Sequence, residues 1–227
     1  MKKKICWEKW TILGLVVLGC AAMAYIDGVV QPGYLVKSLW KLVFFLALPL
    51  VLYYRKSPDQ LKELFSLHSG AKYWPLVLGG AVYGFILLLY FTIGRFFDFT
   101  GVVGALDSEL GIDRGNFIFV SLYISFINSL LEEFFFRGFG FLALRESCSR
   151  KFCYFFSAAA FALYHVAMLA GWFRLDLLTL LIVLLMAAGA ILNWFNERSR
   201  SLWFSWCIHM FANFSINTVG FLLFGLL

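Results

Sequence analysis

The stretch SFINSLLEEFFFRGFGF, residues 125–141, sets two adjacent glutamates and an arginine, Glu132, Glu133 and Arg137, inside an otherwise apolar run. A charged side chain at the centre of a bilayer costs about 2.5–3.5 kcal/mol even on the permissive insertion scale. Three on one helix therefore need partners. At about 100° per residue, side chains four apart lie within about 40° of each other, so Glu133 and Arg137 can pair. Glu132 points about 100° away from Glu133 and must find its partner on another helix.

Two later segments offer partners. His165 follows Phe161 by one turn in FALYH, and His209 and Asn213 lie one turn apart on a single face of HMFAN. A carboxylate, two imidazoles and a carboxamide could thus converge inside a helix bundle, and together they are the set an intramembrane hydrolase requires. Taken singly, each has a plainer reading. Glu133 with Arg137 is a structural clasp, and His165, Asn213, Asn128 and Asn193 are hydrogen-bonding glue between helices. Asp27, Arg95 and Asp98 fall near outer helix ends, from which they can snorkel to water. His68 reads as a solvated loop residue.

The elements that must position these groups follow from composition. Of 227 residues, 62% are hydrophobic, 20% aromatic and only 14% charged, and the mean hydropathy is +0.84. A soluble domain usually carries about 25% charged residues, so the chain reads as an all-α, polytopic membrane helix bundle. Hydropathy resolves into about seven spans of helix-crossing length, near residues 10–30, 39–54, 73–97, 116–142, 152–171, 175–195 and 201–224. The second is short and holds Pro49, which predicts a kinked or partly re-entrant segment. The basic start followed by a long apolar run reads as a first helix rather than a cleaved leader. No repeat or Pro/Ser-rich linker divides the chain. It reads as one membrane domain, with residues 1–115 supplying three N-terminal spans and 116–227 the motif-bearing core.

Lys2, Lys3, Lys4, Lys9, Arg55, Lys56, Lys62, Lys72, Arg145, Arg150, Lys151, Arg198 and Arg200 fall on one side of these spans, and only Lys37, Arg114 and Arg174 on the other. Lys41, Arg95 and Arg137 lie within spans. The bias predicts a cytoplasmic N-terminus and an outer C-terminus in the cell membrane. It also accounts for the net charge of +6 as a collar facing anionic lipid, with no nucleic-acid partner needed. The five cysteines have no CxxC spacing and predict neither a disulfide framework nor a zinc knuckle.

In chain order, EEFFFR fits EExxxR, FALYH fits FxxxH and HMFAN fits HxxxN, and the preceding SRSLW is similar to a segment that carries Gly-Ser at the same place. Over about residues 121–217 the chain resembles the CPBP intramembrane proteases, the Abi or CAAX-protease-like family. The resemblance implies a peptidase cleaving a hydrophobic or lipid-modified peptide or protein within the membrane. It implies Glu132 as general base acting with His165 on a water, His209 and Asn213 as oxyanion donors, Glu133 and Arg137 as support, and Phe161 as the wall beside His165. Glu132, His165 and His209 would also make an adequate zinc set with one open position, so the residues leave a zinc ion and a metal-free route both open. Oligomeric state is not fixed by the sequence. A non-catalytic membrane scaffold, or an immunity or signalling protein on the same fold, is the competing reading. A small-solute transporter would need inverted repeats and broken helices, which are not evident.

Overall fold

The computed structural model describes residues 8–66, 73–97, 99–170 and 172–227, so His68 and Asp98 lie outside the described residues. Among the described residues all regular elements are helices, and the only strand-like feature is an isolated bridge between Ala170 and Phe173. In hydrocarbon every backbone N–H and C=O must be satisfied within the segment, which a helix achieves by itself. Among the described residues, seven helices are long and apolar enough to cross a membrane. We label them with two shorter helices in chain order: α1 Lys9–Val30, α2 Tyr34–Lys56, α3 Pro58–Leu64, α4 Trp74–Phe96, α5 Thr100–Leu110, α6 Phe117–Glu146, α7 Arg150–Leu169, α8 Leu175–Ser199 and α9 Trp203–Leu223. The protein is a multi-pass, all-α membrane bundle, with α3 and α5 as helical connections.

The centre of the bundle is α6. From Glu133 to Ala143 it takes a wide π-helical course, and every side chain of that stretch is buried. Its phenylalanines meet aromatic residues of the surrounding helices. Phe135 stacks on Phe45 of α2 at 4.0 Å between centroids, and Phe136 meets Phe161 of α7 edge-on at 5.4 Å. Lipid tails are as apolar as these rings, so the gain is close packing and dispersion rather than escape from water. Hydroxyls add directional ties: Tyr53 of α2 donates to the Gly138 carbonyl at 2.6 Å, and Ser157 of α7 to the Phe136 carbonyl at 2.8 Å.

On the far side α9 packs along α4. A Cβ on Gly79 would meet Phe211 at 2.6 Å, so glycine is what lets those two backbones approach. Four residues of α9, spaced three or four apart, then fasten it to α6. Trp206 donates to the Phe126 carbonyl at 3.1 Å, His209 bonds Glu133, Asn213 donates to the Ile124 carbonyl at 3.2 Å, and Asn217 to the Ser121 carbonyl at 3.1 Å. That stripe fixes the register of the last helix against the glutamates.

Two sequence expectations change here. Residues 34–56 form one continuous 23-residue helix, which sets aside the partly re-entrant alternative for the second span. A π-helical turn at Leu42–Ala47 comes just before Pro49, where it widens the backbone ahead of a residue that lacks an N–H and crowds the preceding turn. Asp27 does not snorkel to water: its carboxylate meets Lys37 at 2.8 Å with only 3% of the side chain exposed. Pairing with a cation from α2 removes the need to reach solvent. Arg95 is exposed and lies over the Phe96 ring, as its place near a helix end predicts. Asn193 is interhelical glue, its side-chain amide 3.1 Å from the Ser157 hydroxyl.

Candidate active site

Glu132 sits where the α-helical turn Ser129–Glu132 gives way to the π-helical stretch of α6, and its side chain is 4% exposed. Its partner from another helix is Lys41 of α2, whose ammonium donates to Glu132 Oε1 at 2.5 Å and to Asn128 Oδ1 at 2.5 Å. Asn128, one turn before the glutamate, donates to the same Oε1 at 3.0 Å. Oε1 is thus held by two donors. Oε2 faces the other way, 4.0 Å from His165 Nε2 and 3.6 Å from His209 Nε2.

Each imidazole is oriented through its other nitrogen. His165 Nδ1 donates to the Phe161 carbonyl one turn back on α7, at 2.7 Å. His209 Nδ1 donates to Glu133 Oε1 at 2.8 Å. In the neutral ring each Nε2 then carries the lone pair, aimed with its partner at Glu132 Oε2. The histidine side chains are 12% and 10% exposed, whereas Glu133 and Arg137 are wholly enclosed. The site therefore opens on the histidine side.

Glu133 and Arg137 pair as their spacing predicts, at 3.3 Å. Glu133 is more than a clasp, because the same oxygen also holds His209. The Arg137 guanidinium lies 4.0 Å above the centre of the Phe161 ring, and that ring also presents edge contacts to His165 at 4.8 Å and His209 at 5.8 Å. Phe161 is the common wall of the cluster. The four formal charges resolve into two pairs, Lys41 with Glu132 and Arg137 with Glu133, which is how the apolar segment carries them.

The structure brings Glu132, Glu133, Arg137, Phe161, His165 and His209 together. Asn213 lies one turn beyond His209 with its amide donating to the Ile124 carbonyl. Sequence reasoning misses Lys41, and it reads Asn128 as simple glue although that residue bonds both Lys41 and Glu132. Charge balance within the membrane holds the missing signal: once Glu133 takes Arg137 and the charges near helix ends, Asp27 and Arg95, are set aside, Glu132 and Lys41 are the charges left over.

One of the two donor pairs fits a zinc ion poorly. With bonds of about 2.0–2.1 Å, a metal between Glu132 Oε2 and His165 Nε2, 4.0 Å apart, would subtend about 155°, whereas between Oε2 and His209 Nε2, 3.6 Å apart, it would subtend about 120°. Lys41 adds a second cation on the same carboxylate. Among the described residues no group of three or more His, Cys, Asp or Glu is arranged to hold a metal ion. A water hydrogen-bonded at about 2.8 Å to Glu132 Oε2 and His165 Nε2 would span their 4.0 Å gap at about 90°.

Arg137→Ala is expected to lower the yield of monodisperse, detergent-extracted protein far more than Glu132→Gln. The first leaves Glu133 as a buried charge without its cation, a loss of about 3–5 kcal/mol, and also empties the space of a fully buried large side chain, while the second leaves Lys41 without its anion but keeps the shape and an oxygen acceptor for Lys41 and Asn128. Equal yields would contradict the distinction.

A family model for Rce1-like proteins, described as type II CAAX prenyl endopeptidase Rce1-like, matches residues 114–215. No curated protein and no solved structure matches the chain. The matched segment lies wholly beyond the first three spans and contains all seven residues of the three motifs. Residues 114–215 are thus similar to the Rce1-like type II CAAX prenyl endopeptidases, in line with the resemblance carried by EExxxR, FxxxH and HxxxN.

Proposed function

We propose that the protein is an intramembrane endopeptidase that cleaves a hydrophobic or lipid-modified peptide with a water activated by Glu132, without a metal. The observation that carries this reading is the asymmetry of the Glu132 carboxylate: Oε1 is bound by Lys41 and Asn128, and Oε2 faces two oriented imidazole nitrogens. Water held between Oε2 and His165 Nε2 loses a proton to Glu132 as its oxygen attacks the peptide carbonyl, and the same proton then passes to the leaving amine. To donate to the oxyanion through Nε2, His209 would act as the imidazolium, its ring oriented by Glu133 at 2.8 Å from Nδ1. Asn213 can add a donor through the second N–H of its amide, the first being held by the Ile124 carbonyl. Asn213→Ala is therefore expected to cost no more than about 10²- to 10³-fold in kcat.

The metal-free route is tested by chelation of purified protein in liposomes. Cleavage of a hydrophobic peptide is expected to be indifferent to chelator, and loss of activity restored by Zn²⁺ would contradict it. The three N-terminal spans are proposed to belong to the same functional unit as the core, since Lys41 reaches the base from α2. The proposed setting is the cell membrane, with the N-terminus cytoplasmic and the C-terminus outside, on the bias of Lys and Arg between the two sides. A reporter fused after Leu227 should be exported and one inserted in the loop that contains Cys148 retained. The reverse pattern would overturn the orientation.

A further inference from the structure

We propose that Lys41 is a positioning residue of the reaction: from outside the family-matched segment, its ammonium holds Glu132 Oε1 so that Oε2 alone serves as the base. The inference rests on the hydrolase reading and adds to it a part that residues 114–215 do not contain.

A free carboxylate has two equivalent oxygens and rotates about its last bond, so a glutamate with one hydrogen bond presents a mixture of orientations. Here Oε1 accepts from Lys41 and from Asn128, while Asn128 accepts from Lys41, which closes a three-membered ring of polar contacts. Rotation of the carboxylate would break two of those contacts at once in a place where water cannot replace them. The oxygen that faces His165 and His209 is thereby fixed as Oε2.

The ammonium itself is held in place. It lies 4.9 Å from the Tyr164 ring centre and 5.4 Å from that of Phe45, and the aliphatic stem of Lys41 is buried. Phe45 is stacked on Phe135 of α6, and Tyr164 directly precedes His165 on α7, so of the two rings that cradle the cation one packs on the helix that carries the base and the other belongs to the helix that carries its histidine. A shift of Lys41 would be transmitted to both. Lysine suits the place because a compact point charge can be shared between two oxygens on one side, whereas a guanidinium fork presents its donors in a plane.

A purely structural lysine would alter folding and substrate affinity as readily as turnover. The test separates these with Lys41→Met, which keeps an apolar stem of similar length, together with Glu132→Gln and the double variant, all in liposomes or detergent. Lys41→Met is expected to lower kcat about 10²-fold, the typical cost of misplacing a catalytic group by about 1 Å, while KM stays within about twofold and helical content is unchanged. In thermal denaturation without substrate, each single variant leaves one buried charge unpaired and should lower Tm, and the double variant should recover most of that loss. An active wild type with Lys41→Met within about threefold of it in kcat would overturn the positioning role. So would a fall in kcat matched by loss of helical content, or strictly additive losses in Tm. If the wild type cuts no peptide, the hydrolase reading falls and takes the positioning role with it, while a coupled Tm cycle would still establish the buried pair.

Discussion

Glu132→Gln is expected to abolish peptide cleavage, lowering kcat by about 10⁴-fold, with the protein still folded. A general base contributes about 10²- to 10⁴-fold, and loss of a residue that acts as one unit with others removes their contribution as well. Glutamine keeps the shape of the side chain and an oxygen for Lys41 and Asn128, but it offers no basic oxygen to a water facing His165. His165→Ala should fall to a similar level, and the Glu132→Gln/His165→Ala double variant should lose little more than either single change. The check is turnover of a fluorogenic hydrophobic peptide in liposomes, alongside circular dichroism. Multiplicative losses in the double variant would mean that the two residues act independently.

The second large effect is expected at Glu133, which spacing alone presents as a clasp. Because Glu133 Oε1 accepts from His209 Nδ1 at 2.8 Å, Glu133→Gln should loosen the hold on the histidine proposed to donate to the oxyanion. A carboxylate holding a catalytic histidine through Nδ1 is worth up to about 10⁴-fold in serine hydrolases, so a loss of roughly 10³-fold is expected here. His209→Ala should lie within about tenfold of that figure, and the combination should add little. A Glu133→Gln variant that folds and keeps near-full turnover would return this residue to the role of clasp to Arg137.

Much of this arrangement is legible in the amino-acid sequence. Seven spans follow from apolar runs long enough to cross a bilayer, since hydropathy is a local property of the chain. The pairing of Glu133 with Arg137 follows from spacing on one helix, and it survives the change to a π-helical course. What escapes depends on how helices are placed against each other. Lys41 and Glu132 are 91 residues apart, and their contact requires α2 to dock on α6 with Phe45 against Phe135, a register that no single helix encodes. A place near a helix end allows Asp27 to reach water, and its pairing with Lys37 is visible only with α1 and α2 side by side. The bond from His209 to Glu133 has the same origin, since it depends on the stripe of donors that sets α9 against α6.

The most direct measurement is mass spectrometry of a hydrophobic peptide incubated in H₂¹⁸O with purified wild-type protein in liposomes, beside Glu132→Gln. If Glu132 activates water against a peptide bond, the wild type yields two fragments, the new C-terminal carboxylate carries one ¹⁸O, and the Glu132→Gln sample contains intact peptide. An uncut peptide with the wild type, or equal cleavage by both proteins, would contradict the assignment of Glu132 as the base.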